Sequence, residues 1–300
     1  MTDLTHLHVE ARPLALLPAA ERLDGLRGDR WFGYGRANAA LAALDDLLRH
    51  EPGRLRPRNL LIVGPSNNGK TMIAEKFRRA HPQRVSDDGD HEVIPVLNIE
   101  MPPQPTVSRF HTAVLKALRV PVGHHGGADR KESFVIRLMR ACKVRLLIID
   151  ELHNMLGAFP LRQRELLNLL RYLGNTLRIP IVCLGTREAY LAIRTDDQLE
   201  NRFHPFVLPP WENDAELGRL LASFEATLPL REPSGLATPR IRDLILRRSE
   251  GLIGEIATLL ARAAAAALSS GHERLDTALL QTTAYEPPTR RRRLAERALR

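Results

Sequence analysis

Residues 59–71 read NLLIVGPSNNGKT. The opening NLLIVG is a short apolar run with β-branched members, the pattern of a buried strand. Gly64 to Thr71 match G-x-x-x-x-G-K-[ST] in full, and the chain from Thr71 onward has helical periodicity. Chemistry explains the spacing. Gly64 and Gly69 let the backbone approach an anion closely. Backbone N–H groups from Asn67 and Asn68 on to Thr71 converge at a helix N-terminus, whose positive end favours phosphate. Lys70 is placed to reach the β and γ phosphates of a nucleotide, and the Thr71 hydroxyl to ligate Mg2+.

A partner for this loop lies downstream. LLIIDE, residues 146–151, ends an apolar strand in two carboxylates, at the edge where parallel sheets bind their ligands. Asp150 is placed to hold the Mg2+ shell, and Glu151 to orient and polarise an attacking water. An acid at Glu151 argues for hydrolysis over phosphate transfer to a small acceptor. A further strand, IPIVCLG at 179–185, ends in Thr186. Its hydroxyl can contact the γ-phosphate or the attacking water, or cap the helix that follows.

Working outward, VIPVLNI (93–99) and FVLPP (206–210) read as further strands. Helical spacing of apolar residues covers 37–48, 107–118, 132–142 and 161–177. Repeated β–α units predict an α/β fold with a parallel sheet between helical layers. After Trp211 the strands stop. Helical patterns at 215–227, 238–249, 253–268 and 276–283, punctuated by Pro229, Pro233 and Pro239, predict a small all-helical domain. Residues 1–30 read as an extended arm with one short helix. EPPTRRRRLAERALR, 286–300, reads as a proline break and a basic stretch.

The chain has 300 residues, 44% hydrophobic and 26% charged, which excludes disordered and fibrous classes and allows one large core plus a smaller one. Its formal net charge of +9 favours a polyanionic partner, nucleic acid before membrane. Cys142 and Cys183 stand far apart with no CxxC, which argues against a disulfide framework or zinc cluster and fits a reducing cytoplasm. No secretory signal is expected at the N-terminus. The most apolar stretch, 251–268, is broken by Glu255 and Arg262 and reads as a core helix, not a membrane span. His6 with His8, and His124 with His125, are histidine pairs without a completed set of metal ligands.

Beyond the phosphate loop, WFGYGRA (31–37), LLIIDELHNMLG (146–157), LLNLLRYLGNTLRIPIVCLGTREA (166–189), DDQLENRFHPFVLPPW (196–211), LASFEATLPLREPS (221–234) and SEGLIGEI (249–256) make a longer match. Together they resemble the TniB family of bacterial transposition helper ATPases, AAA+ proteins related to TnsC and MuB. The resemblance implies an AAA+ P-loop core, a three-layer parallel-sheet fold, at 31–210. A helical lid would follow at 211–284, with an N-terminal arm at 1–30 and a basic tail at 285–300. It also implies ATP and Mg2+ as cofactors, and assembly of a homo-oligomer (ring, helix or filament) on double-stranded DNA. Recruitment of a transposase, with a target-selection protein as a further partner, and a role in target choice complete the expectation.

Carried onto this sequence, Lys70 and Thr71 are the Walker A pair, Asp150 and Glu151 the Walker B pair, and Thr186 the sensor-1 position. Arg202, in NRF, matches the arginine finger, a guanidinium able to meet two γ-phosphate oxygens of a neighbouring subunit's nucleotide. The plain alternative is a surface arginine pairing with Asp197 or Glu200. Tyr34 stands where the family flanks the adenine, although a core tyrosine would read the same. SEGLIGEI matches the lid segment that closes over nucleotide, which brings Gly254 into the candidate site. Glu255 and Ala257 stand where a lid arginine is often found, a departure that puts such a contact in doubt.

For DNA, nothing resembles a groove-reading helix, and an aromatic share of 5% argues against base stacking. Contacts would then go to phosphates. Candidates are Ser108 and Arg109 in PPQPTVSRF, and Arg130 and Lys131 further on, with ordinary solvated charge as the alternative. The RRRR of 290–293 could bind DNA or an acidic partner, or simply solubilise the end. Other classes stay open: a replication-type loader of the same fold, or a P-loop kinase or helicase acting directly on a substrate.

Overall fold

Every residue from Asn59 to Val63 is buried, and so is every residue of Leu146–Asp150 and Ile181–Gly185. Strands apolar on both faces must be covered on both faces, which only the interior of a helix-flanked parallel sheet provides. The computed structural model has this arrangement. It describes residues 3–299 except 27, 29 and 121–127, with the backbone alone for 128 and 129. Five parallel strands form the sheet: β1 (Asn59–Val63), β2 (Val96–Glu100), β3 (Leu146–Asp150), β4 (Ile181–Gly185) and β5 (Phe203–Val207), in the order β2-β3-β4-β1-β5. The register is continuous, with Ile148 opposite Val182, Leu61 opposite Cys183 and Asn59 opposite Phe203.

Sequence neighbours are not spatial neighbours here. The chain leaves β1, passes through α2 (Lys70–Ala80), and returns three positions away, leaving room for β3 and β4 in between. The phosphate loop and the Asp150–Glu151 pair therefore emerge from strands separated by β4 alone, and Thr186 follows that intervening strand. Helices α1 (Gly35–His50), α3 (Val107–Ala117), α4 (Ala128–Ala141) and α5 (Pro160–Leu177) supply the covering layers. Leu61, Leu97, Phe110, Leu115, Val135, Leu147 and Leu173 belong to one core. Each such side chain contributes about 1.5–3 kcal/mol by leaving water.

The chain divides into two compact units. The sheet unit comprises Arg36–Ser66 and Lys70–Pro209; the helical unit comprises Met1–Gly35, Asn67–Gly69 and Pro210–Arg300. The arm and the basic tail thus group with the helical unit, as do three residues of the phosphate loop. In that unit α6 (Ala215–Glu225), α7 (Pro239–Ser249), α8 (Ile253–Ser270) and α9 (Thr277–Thr282) surround a second core that includes Trp211, Leu221, Ile245, Leu260, Ala264 and Leu275. Among the described residues α8 is the one helix apolar and long enough to cross a membrane. Its Leu259, Leu260, Ala263 and Ala264 are fully buried in that core.

Four expectations need correction. The strand expected at 93–99 is split: Glu92–Val93 pairs with Arg84–Val85 in a separate small ladder, and β2 begins only after Pro95. Pro95 has no N–H to give a ladder, and its carbonyl takes the N–H groups of Arg145 and Leu146 instead. β5 lies at Phe203–Val207, not 206–210, because its pairing to β1 starts at Asn59 opposite Phe203. Pro205 is tolerated there because β5 is an edge strand. Residues 1–30 hold two short helices, Arg12–Ala15 and Ala19–Gly25. The basic tail, read simply as a charged stretch, forms α10 (Pro288–Ala298).

Candidate functional site

In the sheet unit the two expected motifs meet at the strand ends. The Thr71 hydroxyl donates to Asp150 Oδ2 at 2.6 Å. Asp150 is 6% exposed, and its other oxygen accepts the Glu151 N–H at 2.7 Å. Glu151 leaves β3 in the left-handed region, φ 54°, which turns its side chain out of the strand's alternation. Its carboxylate takes Nε2 of His153 at 2.9 Å. Sequence reasoning did not single out His153, although DELHN placed it two residues from Glu151.

Lys70 is also buried, 6% exposed, and its Nζ donates to the carbonyls of Gly64 and Pro65 at 2.9 and 2.7 Å. Burial lowers the Lys70 pKa, and Glu151 and Asp150 pull against that. Among the described residues the Lys70 ammonium is bonded to these two carbonyls, so its charge is not balanced by a direct ion pair. Gly64 closes the strand end by donating to the Gly185 carbonyl at 3.2 Å. Thr186 occupies the N-cap position of its helix, but its hydroxyl makes no capping bond. That oxygen is buried and lacks a hydrogen-bond partner of good geometry, although it lies near enough to Glu188 to hold that carboxyl below its ordinary value.

Asn67 to Gly69 pack within the helical unit. Asn67 and Gly69 both have positive φ, 60° and 82°, the alternation that turns successive N–H groups toward one point. Asn68 is 3% exposed. Gly254 donates its N–H to the Asn67 carbonyl at 3.0 Å. A Cβ at 254 would stand 1.9 Å from Asn67 Oδ1, so any side chain there would have to displace the Asn67 amide. Glu255 accepts from Asn67 Nδ2 at 3.0 Å. The position where a lid arginine was in doubt is therefore filled by a carboxylate that holds the loop. Tyr34 packs edge-on against Trp211, with its hydroxyl 3.6 Å from where a Cβ on Gly69 would be. It stands beside the phosphate loop within the helical unit's core.

Arg202 precedes β5, and its carbonyl takes the N–H of Asn59. It stands at the opposite end of β1 from Gly64, about 16 Å of strand away. It donates to Asn175 at 2.8 Å and does not pair with Asp197 or Glu200; Glu200 is taken by Arg194 at 2.7 Å. Arg202 lines an open cleft of about 530 Å³ with Arg56, Arg58, Gln198, Asn201 and His204. Burial, then Arg56 and Arg171, lower its pKa.

The DNA candidates fall into one neighbourhood. Lys131, on α4, donates to Thr112 Oγ1 at 2.6 Å and Ser108 Oγ at 3.3 Å, both on α3. Arg109 instead folds back onto the carbonyls of Pro103 and Gln104. Arg130 is exposed. His124 and His125 lie outside the described residues. His6 bonds the Leu230 carbonyl, and His8 stands 3.9 Å from Glu10. Both cysteines are free, and burial raises both thiols.

Solved structures share this fold. One of the Aeropyrum pernix ORC2 protein in ADPNP–ADP complexes is 20% identical with a TM-score of 0.62, covering 86% of this chain and 70% of that one. One of the Aeropyrum pernix ORC1 protein in complex with DNA is 18% identical, TM-score 0.62, covering 87% and 68%. Cdc6p from Pyrobaculum aerophilum is 16% identical, TM-score 0.58, covering 84% and 67%. The fold is the AAA+ fold of the Orc and Cdc6 proteins. None of the curated proteins matches this chain. The family model described as bacterial TniB protein matches residues 22–213, more than half of the chain. The chain belongs to the TniB family.

Proposed function

We propose that this protein is an ATP-dependent, DNA-binding AAA+ regulator of DNA transposition. In this reading it assembles on duplex target DNA and there recruits or activates a transposase. One observation carries the nucleotide reading: Thr71 Oγ1 and Asp150 Oδ2 lie 2.6 Å apart at neighbouring ends of the sheet, with buried Lys70 beside them. Two oxygens of this kind suit a hard cation with oxygen ligands, so Thr71 and Asp150 would hold Mg2+. When bound, the ion supplies charge neutralisation on the β and γ phosphates. Lys70 and the loop N–H groups from Asn67 to Thr71 bind and orient the phosphates, with Gly64 and Gly69 allowing their approach. Glu151 polarises the attacking water, with His153 steadying its carboxylate. Thr186 offers its hydroxyl to the γ-phosphate or to that water. Tyr34 and Gly254 stand beside Asn67–Gly69 within the helical unit.

Arg202 cannot serve its own phosphate loop from the far end of β1. Its role is then in trans, completing the site of a second copy, so that hydrolysis requires assembly. Family membership and a net charge of +9 support the transposition and DNA readings. Two of the fold's relatives were solved on DNA, one of them the Drosophila ORC at 14% identity and TM-score 0.58. Ser108, Arg130 and Lys131 are the proposed phosphate contacts, with Arg109 joining them if it releases its carbonyls. A cytoplasmic protein suits the free thiols.

The test is ATP turnover by the full chain with and without duplex DNA, across protein concentrations. The expected result is turnover stimulated by DNA and rising more than in proportion to protein. Phosphate transfer to a small acceptor, or unwinding of the duplex, would replace this reading with an enzyme acting directly on a substrate.

A further inference from the structure

Of the four consecutive arginines in the tail, Arg290 pairs on the surface with Glu286, while Arg291 reaches a buried carboxylate. Its Nη2 donates to Glu255 Oε1 at 2.6 Å. Glu255 stands in the first turn of α8 and is 6% exposed. Burying a carboxylate costs several kcal/mol unless donors surround it. Three do: Arg291 and Asn67 Nδ2 on Oε1, and the Tyr285 hydroxyl on Oε2 at 2.5 Å. The tail helix is fixed at its start as well, where Thr289 gives both its N–H and its hydroxyl to Glu250, at 2.9 and 2.8 Å. Arg291 is therefore part of a built network and not a loose charge.

The network ends on the phosphate loop. Asn67 is held twice by the first turn of α8, through its carbonyl by Gly254 and through its amide by Glu255. Its φ of 60° is a conformation that asparagine adopts at some cost, and it persists only when surroundings fix it. Lys70 and Thr71 follow three and four residues later on the same turn, so the pose of Asn67 sets how the loop presents its N–H groups.

We propose that Arg291 is a positioning residue for nucleotide binding: through Glu255 it holds Asn67, and with it the phosphate loop, in the shape that receives the phosphates. The inference rests on the nucleotide-binding reading above and adds to it a role for the basic tail. Three donors on one carboxylate outweigh the burial that would raise its pKa, and Glu255 stays below its ordinary value. Without Arg291 two neutral donors remain for a buried charge, and the grip on Asn67 loosens. Since the loop binds substrate and transition state alike, the loss falls on affinity more than on turnover at saturation.

The test compares the full chain with Arg291→Ala, Arg291→Lys and Glu255→Gln, with Lys70→Ala as reference. Two measurements are made well below the melting temperature: titration with a fluorescent ATP analogue plus Mg2+, and amide hydrogen exchange of residues 64–71 without nucleotide. Arg291→Ala is expected to raise the Kd about tenfold, the value of one lost charge-assisted hydrogen bond. It should also speed exchange in the loop while leaving β3 and β4 unchanged. Arg291→Lys restores part of the affinity, and adding Glu255→Gln to Arg291→Ala costs little more. If Arg291→Ala only lowers the melting temperature, with loop exchange and Kd as in the parent, the inference is wrong while the nucleotide reading stands. If the parent chain itself binds no nucleotide, both fall.

Discussion

Gly254 shows at the level of one residue how closely the phosphate loop is held. A methyl group there would overlap Asn67 Oδ1, so Gly254→Ala must displace the asparagine. Nucleotide affinity should drop by about tenfold or more, read by titration; an unchanged Kd would mean that the pose of Asn67 is irrelevant to binding. Glu151 acts at a different step. Glu151→Gln should keep nucleotide binding and lower turnover by roughly 10²–10⁴, the range for loss of a positioned general base. Turnover close to the parent's would remove Glu151 from its role. His111 tests the electrostatics of the core. It is fully buried on α3 with neither ring nitrogen bonded, and burial, then Lys131, hold its pKa down at about 4 against an ordinary 6.5. The unfolded chain thus takes up a proton that the folded chain refuses. Stability from this site is present above pH 6.5 and is lost as pH falls toward 4. Between pH 7 and pH 5 the parent should lose roughly 2 kcal/mol at this position that His111→Leu does not, measured by urea unfolding at both values. Equal losses would show that His111 is not held neutral.

Elements are secured by polar anchors that the sequence does not announce. The helix Ala19–Gly25 is tied to the rest of its unit by Arg22, only 4% exposed, which donates to both oxygens of Glu273 at 2.8 Å and to the Pro229 carbonyl. Arg22→Ala leaves Glu273 without its main partner and should destabilise the helical unit by about 3 kcal/mol, seen as a lowered melting transition. A change within about 0.5 kcal/mol would class the pair with ordinary surface charges. The partners lie far apart in the chain, so nothing local in the arm predicts the contact. The same reason hid α10, whose Arg291 and Thr289 meet Glu255 and Glu250 at separations of 36 and 39 residues. By contrast β1, β3 and β4 were legible because a doubly covered strand must be apolar throughout, and the loop and acids because their chemistry fixes residue type at each place. β5 was misplaced because an edge strand carries His204 and Pro205 without penalty, which dilutes its pattern. Glu255 was noticed only as a missing arginine; what it does depends on Asn67, Tyr285 and Arg291 arriving from other segments.

At the scale of the whole molecule the sheet puts two chemistries at its two ends. Lys70, Thr71, Asp150 and Glu151 gather at the C-terminal edge, and Arg202 with Arg56 and His204 at the other. Under the proposed function, a site divided in this way would be completed only when copies meet. Arg202→Ala should therefore leave nucleotide binding by isolated chains intact and abolish the steep rise of turnover with concentration. Parent-like kinetics would make Arg202 a structural residue bonded to Asn175. DNA affinity should fall steeply with salt and vary little with sequence, as phosphate contacts and counterion release require. All of this depends on the phosphate loop receiving a nucleotide. Calorimetric titration of the full chain and of Lys70→Ala with Mg-ATP measures that directly. The expected outcome is one site per chain in the parent and none detectable in the variant; a parent that takes up no nucleotide, or a variant that binds as tightly as the parent, would contradict it.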